Sequence, residues 1–148
     1  MSEHVLTLGG GCFWCLDAVF REVPGVSSCT SGYAGGELPE PDYDSVCGGR
    51  TGHAEVVRLV FDPARVSQEQ LLDIFFTIHD PTTLNRQGND VGTQYRSAIY
   101  CSDDDQQQAA QVIQVMFQGQ LERAGFGPIT TEIAESPTFY YAEAYHQQ

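Results

Sequence analysis

VLTLGGGCFWCLDAVFREVPG (residues 5–25) decides the fold at its first turn. Val5 to Leu8 form a short apolar run that ends in glycines, which predicts a β-strand. Leu16, Val19, Phe20 and Val23 then recur at helical spacing, and Pro24-Gly25 stops the helix. A strand therefore turns through glycines into a helix, with Cys12 at the junction and Cys15 three residues on. That Cys-x-x-Cys has three readings: a disulfide-exchange pair, half of a metal site, or one nucleophile with a neighbour.

Working outward, residues 26–33 are β-prone, and AEVVRLVF (54–61) is a strand ended by Asp62-Pro63. Ser67 with Gln70 forms a capping box. The helix it opens carries Leu71, Ile74, Phe75 and Ile78 as its apolar face and ends at His79-Asp80-Pro81. SAIYC (97–101) predicts another strand. A long helix follows from about Asp104 to Ala124, with acids in its first turn. Its predicted face is Ala109, Val112, Ile113, Met116, Phe117 and Leu121, and ITTEIA (129–134) is a last strand. Strands alternating with helices, without repeat or linker, imply one two-layer α/β or α+β domain. Residues 32–53 and 81–96 fit no element. Unstructured stretches of that length in a compact domain are commonly functional, so a site is expected where they meet the glycine turn.

The 148 residues include 20 acidic and 7 basic side chains, for a net charge of -13, and every basic residue is arginine. Such a chain repels nucleic acid and anionic membranes, so neither is expected as a partner. No apolar run approaches a membrane span, and the N-terminus does not read as a signal peptide. A cytoplasmic setting is the expectation, and five cysteines there argue against a disulfide framework.

Cys12, at the start of a helix, would have its thiolate stabilised by free N–H groups and the positive helix end. Glu55 has two readings of equal weight. On a covered strand it shares a face with Val57, Leu59 and Phe61, and its carboxyl group could carry a proton near neutrality. Otherwise it is a surface glutamate at a strand end. Tyr33, Tyr43 and Tyr95 lie in or beside the long stretches and could donate hydrogen bonds in an apolar pocket. Metal binding is the weakest reading, because His53, His79 and His146 are scattered and no second Cys-x-x-Cys follows.

GCFWC (11–15) resembles the active-site signature of A-class peptide methionine sulfoxide reductases. GYAGG (32–36), TGHAEVV (51–57), HDPTTLNRQGNDVGTQYRSAIY (79–100) and YHQQ (145–148) resemble that family's further blocks, in the same order and over nearly the whole chain. The resemblance implies an α+β fold, a ferredoxin-like two-layer sandwich with a mixed sheet. It implies reduction of the S-epimer of methionine sulfoxide, free or in proteins, as repair after oxidation. Cys12 would be the nucleophile, and Phe13 and Trp14 the apolar wall for the S-methyl group. Glu55, Tyr33 and Tyr95 would hold and protonate the sulfoxide oxygen, and Asp90 would help position the substrate. Neither metal nor organic cofactor is implied. Thioredoxin is the implied reductant and a monomer the expected state. Many family members have glycine in place of Cys15 and carry recycling cysteines in a C-terminal tail. Here the sequence stops at Gln148, where the family usually continues, so a missing C-terminal tail is one reading, and no cysteine follows Cys101. Cys15, one helical turn from Cys12, becomes the first candidate for the resolving thiol, and Cys47 the second. Cys29 and Cys101, on predicted strands, read as structural. A thioredoxin-like dithiol oxidoreductase is the alternative, and a thiol redox sensor without turnover is a third reading.

Overall fold

The computed structural model describes residues 4–11, 13–36, 53–79, 81–87, 90–135 and 139–142. In chain order the elements are β1 (His4–Gly9), α1 (Phe13–Phe20), β2 (Val26–Ala34), β3 (Ala54–Phe61), α2 (Gln68–Ile78), β4 (Arg86–Gln87), β5 (Asp90–Val91), β6 (Ala98–Cys101), α3 (Asp104–Arg123), β7 (Glu132–Glu135) and β8 (Tyr140–Tyr141), with a 3-10 turn at Thr93–Tyr95. One six-stranded sheet runs in the order β7-β6-β1-β3-β2-β8. All its pairings are antiparallel except β6 with β7. The unit β1-α1-β2-β3-α2-β6, with strand order β6-β1-β3-β2, is the ferredoxin-like arrangement that the resemblance implies. The α3 crossover then adds β7 in parallel beside β6, so the sheet is mixed and the class is α+β.

The central strands are covered on both faces. Leu6, Leu8, Val57, Leu59, Phe61 and Ile99 form the main core with Phe13, Leu16 and Phe20 of α1 and Leu71, Leu72, Phe75 and Phe76 of α2. Each such side chain contributes about 1.5–3 kcal/mol on leaving water, so this face carries most of the stabilisation. Ala34, Ala54, Val56, Ala98 and Tyr100 make a smaller cluster with Ala134 and Phe139. The Arg58 guanidinium lies 4.5 Å over the Phe139 ring and helps close that side.

Three predicted faces are rotated. In α2 the buried residues are Leu71, Leu72, Phe75 and Phe76, while Ile78 is 39% exposed. The reason is α3, whose Phe117 stacks on Phe76 at 5.2 Å and draws the buried arc toward itself. In α3, Val112 and Met116 are 60% and 56% exposed, whereas Gln106 and Ala110 face inward. Gln106 is buried because its amide is bonded. Its Nε2 donates to Val5 O at 3.0 Å, and its Oε1 accepts from Ser102 N–H at 2.7 Å. In α1, Val19 is exposed and Asp17 is buried against Arg21.

The capping box at Ser67 and Gln70 is present as expected. Residues 129–131 precede the last predicted strand rather than open it. Ile129 N–H donates to the Gln118 side chain and Thr130 N–H to Pro81 O, so neither pairs with β6. The stretch 32–53 begins in β2, where Gly32, Tyr33 and Ala34 pair with Val56, Glu55 and Ala54. The stretch 81–96 contains the β4–β5 hairpin and the 3-10 turn. Among the described residues no helix is long and apolar enough to cross a membrane.

Candidate active site

The site is built where β1 hands over to α1. Gly11 has φ 97°, a left-handed conformation that side chains resist, so the glycine lets the chain reverse sharply into the helix. Phe13 is the first residue of α1. Its N–H, one of the four that a helix start leaves without an intrahelical acceptor, donates to Glu55 Oε1 at 3.3 Å. Glu55 is 1% exposed. The surface reading of Glu55 is thereby excluded: the carboxyl group lies under the helix N-terminus, where the helix dipole favours negative charge.

Tyr33 stands directly opposite Glu55 in the β2–β3 register, so their side chains share the helix-covered face. Tyr33 is fully buried, and its ring meets Phe13 at 5.8 Å between centroids. Phe13, Tyr33 and Glu55 thus converge on the first turn of α1. Trp14 is 49% exposed and Cys15 is exposed on the same turn. A surface groove of about 400 Å³ runs beside Trp14, lined also by Asp17, Ala18, Arg21 and Glu22.

Tyr95 is half-buried in the 3-10 turn, which packs against β3. A Cβ on Gly9 would lie 3.2 Å from Glu55 O and 3.3 Å from Arg96 O. The segment carrying Tyr95 therefore reaches the same end of the sheet as Glu55. The backbone of Asp90 pairs with Gln87 in the β4–β5 hairpin. Cys12, Tyr43, Cys47 and His146 lie outside the described residues, as does the side chain of Asp90.

Cys29 and Cys101 sit on β2 and β6 as expected. Burial and a hydrogen bond to Asp17 push the Cys29 thiol well above its ordinary range. Burial, with the nearby Asp103 charge, raises Cys101 to about 11. Both stay thiols at neutral pH and are poor nucleophiles. His53 accepts the Gly36 N–H at Nδ1, 3.0 Å away. Among the described residues no group of three His, Cys, Asp or Glu side chains could hold a metal ion.

A supporting cluster on the sheet's other face was not visible in the motifs. Tyr100 O–H donates to Glu132 Oε1 at 2.6 Å, and the Arg96 guanidinium donates to Glu132, to Tyr100 Oη and to Gly35 O at 3.3–3.4 Å. Burial pushes the Tyr100 phenol well above its usual range. The cluster ties the GYAGG end of β2 to the residue after Tyr95. Arg96 and Tyr100 lie in the 79–100 block and Gly35 in GYAGG, but Glu132 reaches them only through the parallel register that sets Ala98 beside Glu132.

Residues 4–148 match the family model described as peptide methionine sulfoxide reductase. The peptide methionine sulfoxide reductase MsrA of Azotobacter vinelandii is 56% identical over 140 residues, covering 95% of this chain and 65% of the relative. The chain thus spans a little under two thirds of that relative's length. The structure of methionine sulfoxide reductase A of Corynebacterium diphtheriae superposes with a TM-score of 0.95 at 42% identity, covering 99% of this chain and 73% of that one. Mxr1 from Saccharomyces cerevisiae in complex with Trx2 superposes with a TM-score of 0.71 at 26% identity, covering 95% and 81%.

Proposed function

The chain belongs to the peptide methionine sulfoxide reductase family, and from that premise we propose that it reduces methionine-S-sulfoxide, free or in proteins, to methionine. The observation that carries this reading is the buried Glu55 carboxyl group bonded to the first N–H of α1, with Tyr33 opposite it. Disulfide exchange alone has no use for a proton source buried beside the thiol turn, which weighs against the dithiol oxidoreductase.

In this mechanism the Cys12 thiolate attacks the sulfoxide sulfur while a proton moves from Glu55 to the sulfoxide oxygen. That attack forms a bond between the two sulfurs; the protonated oxygen then moves from the substrate sulfur to Cys12 as the S–O bond and the new S–S bond break, the S–S electron pair leaves with methionine, and Cys12 is left as a sulfenic acid. The reaction consumes one thiol and makes one sulfenic acid, so atoms and electrons balance. Tyr33 and Tyr95 donate hydrogen bonds to the oxygen as its charge grows. Phe13 and Trp14 take the S-methyl group, and Asp90 helps orient the substrate. The first N–H of α1 and the positive end of the helix would stabilise the carboxylate that Glu55 becomes as it gives up the proton.

A second thiol then condenses with the sulfenic acid and releases water. Cys15 is the first candidate: it is exposed on α1 and separated from Cys12 by two residues. Cys47 is the second. Thioredoxin reduces the resulting disulfide by thiol exchange; the yeast relative solved with Trx2 supports that partner. No cofactor takes part, and residues 1–148 form one catalytic domain of an enzyme that works in the cytoplasm as a monomer.

The test supplies each sulfoxide epimer with dithiothreitol and measures methionine. Turnover of the S-epimer, abolished in Cys12→Ser, is expected; no turnover of that epimer would sink the proposal.

A further inference from the structure

His79 ends α2 in an extended conformation that folds its ring back over the helix. Nδ1 lies 2.5 Å from Phe75 O, one turn earlier. A carbonyl can only accept, so Nδ1 carries the hydrogen and the tautomer follows from the network. Nε2 lies 2.8 Å from Ser97 Oγ, and Ser97 Oγ lies 2.7 Å from Thr131 Oγ1. In the neutral ring Nε2 accepts from Ser97 O–H, which leaves Ser97 Oγ to accept from Thr131 O–H. Both hydroxyl residues are buried.

The ring also touches the thiol turn. A Cβ on Gly10 would stand 3.2 Å from His79 Cγ and Cδ2 and 3.2 Å from Phe75 Cε1. Gly10 therefore rests directly on the His79 ring, which is itself packed on Phe75 at 4.1 Å. One side chain thus joins the end of α2, the entry to β6 and the loop before β7 to the glycine two residues before Cys12.

Resting on the reading of Cys12 as nucleophile, we propose that His79 is a positioning residue for the reaction. Its bond to Ser97 fixes the ring, and the ring sets the height of the Gly9–Gly11 turn that delivers Cys12. The bond to Phe75 O is local to α2 and would serve a helix cap equally well. The bond to Ser97 crosses between elements and is the one that matters for the turn.

Two variants separate the bonds. Asparagine reaches the Nδ1 partner only, whereas glutamine can reach the Nε2 partner. The first readout is the rate of Cys12 alkylation by iodoacetamide at pH 7, resolved by peptide mass mapping. The second is the rate of release of the first equivalent of methionine without reductant. His79→Asn should slow both about tenfold, since small displacements of reacting groups are costly, and His79→Gln less than threefold. Ser97→Ala should match His79→Asn, and the double variant should be no slower than either. Thermal unfolding confirms that the variants are folded; if His79→Asn fails to fold, Ser97→Ala carries the same prediction alone. Equal losses in the Asn and Gln variants, wild-type alkylation in His79→Asn or Ser97→Ala, or multiplicative effects in the double variant would each overturn the proposal. If alkylation slows as expected but wild-type protein releases no methionine, the reductase reading fails and the positioning role stands.

Discussion

Glu55→Gln tests the mechanism with the least structural disturbance. Glutamine has nearly the same volume, so it leaves no cavity under α1. Its carbonyl oxygen can still accept the Phe13 N–H that Glu55 Oε1 accepts at 3.3 Å. That bond is long for N–H···O and survives in the amide, so the exchange should cost at most about 1 kcal/mol of stability. At 148 residues this corresponds to a Tm change of about 2–4 °C. The chemical cost should be much larger. An amide cannot transfer a proton to the sulfoxide oxygen, and general acid catalysis supplies about 10²–10⁴-fold. A 10²-fold loss is about 2.7 kcal/mol of transition-state stabilisation, well above the folding effect. The assay mixes enzyme with excess methionine-S-sulfoxide in the absence of reductant and follows the first equivalent of methionine by chromatography. Omitting reductant isolates the oxygen transfer from disulfide recycling. Glu55→Gln releasing methionine within threefold of wild type, at a comparable Tm, would refute Glu55 as the proton source.

Other outcomes follow from the same geometry. Tyr33→Phe and Tyr95→Phe should each lower the single-turnover rate by about tenfold, with a larger than multiplicative loss together if both phenols hold one oxygen; an unchanged rate in both would remove them from the site. Cys15→Ser should still give one equivalent of methionine per enzyme yet lose thioredoxin-driven turnover, and undiminished turnover would rule Cys15 out as the resolving thiol. Gly35→Ala should lower Tm by several degrees, because the residue has φ 86° and an added Cβ would meet Tyr100 Oη at 2.3 Å and Arg96 Nη2 at 2.7 Å; a Tm equal to wild type would show that the cluster gives way. Stability to urea should fall as pH rises above about 9, since the folded state holds protons on Cys29, Cys101 and Tyr100 that the unfolded chain releases; Cys101→Ala should flatten that decline, and an unaltered slope would count against its raised thiol.

What the sequence revealed and concealed divides along a physical line. The β1 to α1 turn, β3 and the Ser67 cap were legible because each is written locally, in alternation, glycine placement or a capping box. The buried arcs of α2 and α3 were not, because they depend on where the helices meet. Phe76 is drawn inward by Phe117, and Val112 and Met116 are left outside although their spacing reads as a core stripe. Gln106 is buried through two hydrogen bonds that no hydropathy pattern encodes.

The site shows the same division more sharply. Glu55 stood between a surface and a buried reading because a strand pattern gives the face of a residue but not its cover. The cover is the N-terminus of α1, which depends on the Gly11 reversal, and the choice of face depends on a register that sets Tyr33 opposite Glu55. A slip of one residue in that register would send Tyr33 to the other face of the sheet, away from Phe13. Sheet register is therefore as much a part of the proposed chemistry as the thiol. Arg96, Tyr100 and Glu132 hold Gly35 at this end of β2 from behind the sheet, and His79 lies beneath the turn; loss of these side chains should slow the reaction without touching the sulfoxide.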